Sequence, residues 1–166
     1  MQTCKPIDTP VEKGSTLSLS MCPQTVKKKK MARVAYSNVI GSLMCAMMCA
    51  QPDMYHAVDL FIRFQANPGF AHWQVVKWIF RYLKRTTDYM LCYQASNLCL
   101  FGYSDADWGG NPNECKSTSG YALLLNGEAI TWCSKKQICV ALSIMELEYV
   151  VGSMIVQEGV WLRRFL

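Results

Sequence analysis

Residues 101–110, FGYSDADWGG, constrain this chain more than any other stretch. An apolar run delivers two aspartates, Asp105 and Asp107, into a glycine-rich turn, the pattern of a strand that ends in a polar loop. Further along, Ser143-Ile144-Met145-Glu146-Leu147-Glu148-Tyr149 opens a helical pattern with a second acidic cluster. A strand-borne Asp and a helix-borne Glu are oxygen donors of the kind that share a hard divalent cation.

Chain length and composition set what can surround such a pair. With 166 residues there is room for one moderate core or two small half-domains. A hydrophobic content of 51% against 17% charged argues for a folded chain. The net charge of +5 permits an anionic partner such as nucleic acid without demanding one. Nine cysteines form no disulfide framework: the number is odd, no secretory signal precedes them, and no C-x-x-C pair occurs. They read as reduced thiols of an intracellular protein, and with only His56 and His72 available a zinc site has little support. The longest apolar run, residues 39–50, is far shorter than the ~20 residues of a membrane span.

Residues 1–34 carry Pro6, Pro10, Gly14 and Pro23 without apolar periodicity and read as an extended tether. Its four lysines at 27–30 fit a phosphate contact, a localisation signal or a plain solvated run. Helical spacing follows in Val39, Ile40, Leu43, Met44, Met47 and Met48, and then in Met54, Ala57, Val58, Phe61 and Ile62 after Pro52 and Asp53. A third helix at 71–85 places Val75, Val76, Ile79, Phe80 and Leu83 on one face. Gln74, Lys77, Arg81 and Lys84 line the opposite face, with Trp78 at its margin. A basic stripe beside an aromatic suits a phosphate backbone, and it equally suits an ordinary solvated face.

Strand-like runs are expected at 89–93, 98–105, 120–125 and 129–134, with the hairpin pair Asn126-Gly127 joining the last two. Three consecutive strands then form an antiparallel meander. The final helix should start near Ile144, with Ser143 and Glu146 as a capping box. That explains Glu146. Glu148 instead shares a helical line with Val151, Ile155 and Leu162, and a carboxylate on a buried line needs compensation such as a metal. Spacing leaves both aspartates open. Asp105 shares a strand face with Phe101 and Tyr103 and is the one a sheet would hold rigidly, whereas Asp107 sits nearer the turn.

Several ordered motifs resemble the copia-type retrotransposon Pol polyproteins. Tyr103-Ser104-Asp105-Ala106-Asp107-Trp108-Gly109-Gly110 is similar to the first strand of their ribonuclease H domain. Lys116-Ser117-Thr118-Ser119-Gly120-Tyr121, Trp132-Cys133-Ser134-Lys135-Lys136-Gln137, and Ala141-Leu142-Ser143 leading to Glu146-Leu147-Glu148-Tyr149 continue the likeness in order. Upstream, Gly41-Ser42-Leu43-Met44, Gln51-Pro52-Asp53, Asn67-Pro68-Gly69 and His72-Trp73 resemble the helical segment between reverse transcriptase and ribonuclease H.

The resemblance implies a mixed α/β (α+β) chain in three parts. Residues 1–34 are a tether from the end of the polymerase region, 35–95 a helical connection segment, and 96–166 a partial ribonuclease H-like domain of three antiparallel strands plus a helix. It implies Mg2+, with Mn2+ as the alternative, held by Asp105 and Glu148 as metal-binding catalytic acids, and an RNA–DNA hybrid whose RNA strand is cut. Lys77, Arg81 and Lys84 are the candidates for nucleic-acid contact. The rest of the polyprotein is the implied partner, with no membrane and no small-molecule substrate, in the cytoplasm (within a virus-like particle) or the nucleus.

Against the family pattern, the third and fourth acids fall beyond Leu166, Leu147 replaces a small residue, and Ile144 and Met145 replace small hydroxyl residues. The isolated chain is therefore expected to be inactive. The rival readings are a non-catalytic nucleic-acid-binding module and a decayed remnant without selected function.

Overall fold

A computed structural model of the chain describes residues 4–12, 17–23, 34–93, 99–108 and 116–166. The run of four lysines at 27–30 and the glycines of the turn at 109–110 lie outside the described residues. Two compact units divide the chain, Met1–Met90 and Leu91–Leu166.

The first unit is helical. Its elements are a short turn of 3-10 helix at Leu19–Met21, α1 (Tyr36–Cys49), a second such turn at Pro52–Met54, α2 (Tyr55–Ile62) and α3 (Phe70–Arg85). The expected stripes narrow in the structure. On α1 the buried line is Tyr36, Ile40, Leu43 and Met47, while Val39 and Met44 are half-buried and Met48 is exposed. On α3 it is His72, Val76, Ile79 and Tyr82, with Val75, Phe80 and Leu83 only half-buried. A polar residue and a tyrosine thus hold places expected for aliphatics. Both bring hydrogen bonds: Gly69 N–H donates to His72 Nδ1 at 2.8 Å, and the Tyr82 hydroxyl donates to Asp53 Oδ2. Tyr36 closes the cluster by donating to the Phe61 carbonyl at 3.3 Å.

The described residues before α1 join the helical unit. Ile7, Val11 and Leu17 pack, partly buried, against this core, which a tether lacking apolar periodicity did not announce.

The second unit is a three-stranded antiparallel sheet in the order β1-β2-β3, covered by one helix. β1 is Leu100–Asp107, β2 Thr118–Leu125, β3 Glu128–Lys136, and α4 Ile144–Leu162. The register pairs Gly102 with Leu123 and Asp105 with Gly120. The β2–β3 link is the expected two-residue hairpin, with Asn126 at φ 55° and Gly127 at φ 90°. Positive φ at both central positions is the turn whose twist matches that of its strands. At the start of α4 the Ser143 hydroxyl accepts from Glu146 N–H at 3.1 Å. The reciprocal arm differs from a standard capping box, because Glu146 Oε2 accepts from Leu142 N–H at 2.9 Å.

One expected strand does not form. Residues 89–93 pair with no strand: Tyr89 N–H closes a turn onto the Thr86 carbonyl, and Tyr89 and Met90 are exposed. An unbroken apolar run carries no period-2 signal to commit it to a face. Its last residue uses a side chain where a strand would use backbone, as the Tyr93 hydroxyl donates to the Ala129 carbonyl of β3 at 2.6 Å.

None of the eight cysteines among the described residues is in a disulfide. No helix among those residues is long and apolar enough to cross a membrane.

Candidate functional site

β1 is an edge strand of the sheet, and α4 lies against it because Gly102 has no side chain. A Cβ at Gly102 would come within 2.7 Å of Ile155 Cδ1 and 3.1 Å of Leu123 Cδ2. A second fastening lies at the far end of β1, where the Trp108 indole N–H donates to the Ala141 carbonyl at 3.4 Å. Helix and strand therefore run in opposite directions. Three strand residues from Gly102 to Asp105 advance about 10 Å. Seven helix residues from Ile155 back to Glu148 retreat about the same distance. On these rises Asp105 and Glu148 come to about the same height along the β1 edge.

The faces they occupy differ. Pleating puts Gly102 toward α4, so Phe101, Tyr103, Asp105 and Asp107 belong to the other face. Asp105 and Asp107 are exposed, and Asp105 Oδ1 accepts from Ala106 N–H at 2.9 Å.

Glu148 is exposed too, which corrects the buried line drawn from the sequence. The face of α4 turned into the sheet is marked by Leu147 and Val151, each 0% exposed. The Glu148–Ile155 line runs over the edge strand, where no further strand among the described residues covers it. The carboxylate on the inward line is Glu158, eleven residues beyond Leu147, half-buried and accepting from the Thr131 hydroxyl at 3.4 Å. Sequence reasoning passed over it, although its spacing from Leu147 and Val151 carried the signal. Glu158 lines a cleft of about 420 Å³ with Tyr121, Met154, Gln157 and Trp161. Burial, reinforced by the negative charge of Glu158, raises the Tyr121 phenol above its ordinary pKa.

Two exposed carboxylates offer the hard oxygen donors that Mg2+ takes, and this ion commonly uses one or two carboxylates and keeps several waters. The donor set fits in kind. Among the described residues no group of three or more His, Cys, Asp or Glu side chains is disposed to hold a metal ion.

The basic stripe belongs to the helical unit. Lys77 and Lys84 are exposed and Arg81 half-buried. The Lys77 amine sits 5.9 Å from the Phe70 ring centroid and 6.0 Å from that of Trp73. The Arg81 guanidinium stacks over Trp78 at 5.3 Å. This face also holds the N-terminal segment. Arg81 Nε donates to the Lys5 carbonyl at 2.7 Å, Lys84 Nζ to the Cys4 carbonyl at 3.2 Å, and the Trp78 indole N–H to the Thr9 carbonyl at 2.9 Å. Arg85 pairs with Asp8 at 3.4 Å.

Over its whole length the chain is 48% identical to the retrovirus-related Pol polyprotein from transposon TNT 1-94 of Nicotiana tabacum, of which it spans 13%. It is 35% identical over 150 residues to the retrovirus-related Pol polyprotein from transposon RE2 of Arabidopsis thaliana, covering 90% of this chain and 10% of that polyprotein. It is also 44% identical over 133 residues to secreted RxLR effector protein 161 of Plasmopara viticola, covering 80% of this chain and 94% of that protein. No family model matches the chain. No solved structure matches it.

Proposed function

Because this chain belongs to the copia-type retrotransposon Pol polyproteins, we propose that its sheet unit is the part of such a polyprotein that cuts the RNA strand of an RNA–DNA hybrid. What supports this reading is that Asp105 and Glu148 are both exposed on β1 and α4, two elements joined by the Gly102–Ile155 and Trp108–Ala141 contacts, at about the same height by ideal strand and helix rises. Asp105 and Glu148 are the residues that would hold Mg2+, or Mn2+ in its place. When bound, such an ion supplies a water nucleophile at neutral pH and neutralises charge on the scissile phosphate. The chain's own contribution is positioning: a ladder-bonded strand and a capped helix keep the two acceptor-only carboxylates open to solvent, where a nucleic-acid backbone can reach them. Within the helical unit, Lys77, Arg81 and Lys84 are proposed as nucleic-acid contacts in their own right. Two carboxylates hold such an ion weakly, so the activity belongs to the complete polyprotein.

The test is Mg2+-dependent cleavage of a labelled hybrid by a chain extended toward the length of its Pol relatives. Asp105→Asn or Glu148→Gln should each reduce cleavage by about a hundredfold or more, with melting unchanged. Cleavage that survives Asp105→Asn would sink the assignment.

A non-catalytic binding role is the second reading, favoured by the Lys77, Arg81 and Trp78 constellation. It calls for hybrid affinity that falls steeply with salt and needs neither acid.

A further inference from the structure

The same four α3 side chains that present charge and an aromatic edge to solvent are engaged by residues 4–9. Trp78, Arg81 and Lys84 each donate to a strap carbonyl, and Arg85 meets the Asp8 carboxylate. These acceptors succeed one another along one helix face, with Thr9 near the start of that stretch and Cys4 and Asp8 near its end. Towards α3 the strap presents three carbonyl oxygens and the Asp8 carboxylate, all acceptors. That side of it is a weak chemical copy of a phosphate backbone, even though Lys5 balances the charge of Asp8. The strap is anchored independently of those bonds, because Ile7 and Val11 pack against the helical core.

We propose that residues 4–9 are an intramolecular competitor for the α3 face, so that the strap and a nucleic-acid backbone occupy Trp78, Arg81 and Lys84 in turn. This rests on the reading of Lys77, Arg81 and Lys84 as nucleic-acid contacts, and it adds the regulation of that face. With the strap docked, a backbone meets Lys77 but must displace neutral carbonyls from Arg81 and Lys84. Phosphates are the stronger acceptors for these cations, since they add a full negative charge, and bidentate geometry for Arg81, to bonds whose donors are already ionised. Displacement is therefore favourable but incomplete at low ligand concentration, and the apparent affinity is reduced by the fraction of chains whose strap is docked.

The experiment measures binding of a short RNA–DNA hybrid at several salt concentrations, using the full chain and an Ile7→Ser/Val11→Ser variant, which loosens the strap without adding charge. That variant unseats the strap without altering α3. Release should tighten binding about tenfold, as expected if the strap is docked about nine-tenths of the time. The slope of log affinity against log salt should stay nearly the same, because in both chains the bound hybrid contacts Arg81 and Lys84. A second measurement needs no substitution: hybrid added to the unmodified chain should shift the Trp78 indole N–H resonance and speed its exchange, as the bond to Thr9 breaks. Lys77→Glu tests the underlying reading separately, since its amine lies beside Phe70 and Trp73. If Lys77→Glu weakens binding while release leaves affinity unchanged and the Trp78 resonance stays still, competition is wrong and the face reading stands. If Lys77→Glu changes nothing, the reading falls and the competition with it.

Discussion

His72 is 0% exposed and stacked on Phe64 with ring centroids 4.2 Å apart. Its Nδ1 accepts the Gly69 N–H, so the other nitrogen carries the proton of the neutral ring. Burial lowers its pKa below the ordinary 6.5. The unfolded chain therefore takes up a proton as pH falls through 6.5 while the folded chain does not. The stabilisation is complete above that pH and is lost as pH falls toward the lower folded pKa, by at most about 1.4 kcal/mol per pH unit. Melting temperature should drop between about pH 7.5 and about pH 5.5, and His72→Gln, whose amide oxygen can take the Gly69 N–H, should remove most of that slope. A slope that persists in the variant would move the effect to another group. Asp53, raised by burial, works with the opposite sign at lower pH, which is why the series stops where it does.

Among the elements, α4 shows what a sequence reveals and what it withholds. Ser143 as cap and Ile144 as first residue were legible, because local hydrogen-bond chemistry decides them. So was the Asn126-Gly127 turn, since few other pairs adopt positive φ at both positions. The inward face was not legible. Glu148 and Glu158 both lie on lines containing apolar residues, and only the Gly102 contact with Ile155 determines which line runs over the edge of the sheet. The stability test separates the lines. Leu147→Ala should cost about 2–5 kcal/mol, whereas Glu148→Ala should stay within about 0.5 kcal/mol. Equal losses would mean that Glu148 is held by the fold after all. The strap escaped prediction for a related reason: its bonds use its own carbonyls, which every sequence has.

Across the whole molecule the two units differ in how much they bury. The helical unit encloses a continuous cluster from Tyr36 to Tyr82. In the sheet unit the buried apolar residues among those described are Leu123, Ala141, Leu147 and Val151. Full burial of such a side chain contributes about 1.5–3 kcal/mol, so the sheet unit has far less to set against chain entropy. It also leaves Phe101, Tyr103, Met145, Tyr149, Trp161 and Phe165 exposed. Apolar surface beside an unpaired strand edge invites association. The native protein should enhance the fluorescence of a hydrophobic dye such as ANS and self-associate with concentration. Replacing Phe101 and Tyr103 with Ser should reduce both without lowering the melting temperature. Dye fluorescence at the level of a closed globule would show that this face is covered.

Gly102 works as an index mark. The cleft left by its missing side chain receives Ile155, and a helix seated there can advance only by whole turns, in steps of about 5.4 Å. One such step would carry Glu148 past Asp105 without disturbing a single backbone hydrogen bond in either element. The alignment of the two acids is thus set by a residue that bears no functional group, and a transplanted copy of the pair would lose its calibration unless the glycine travelled with it.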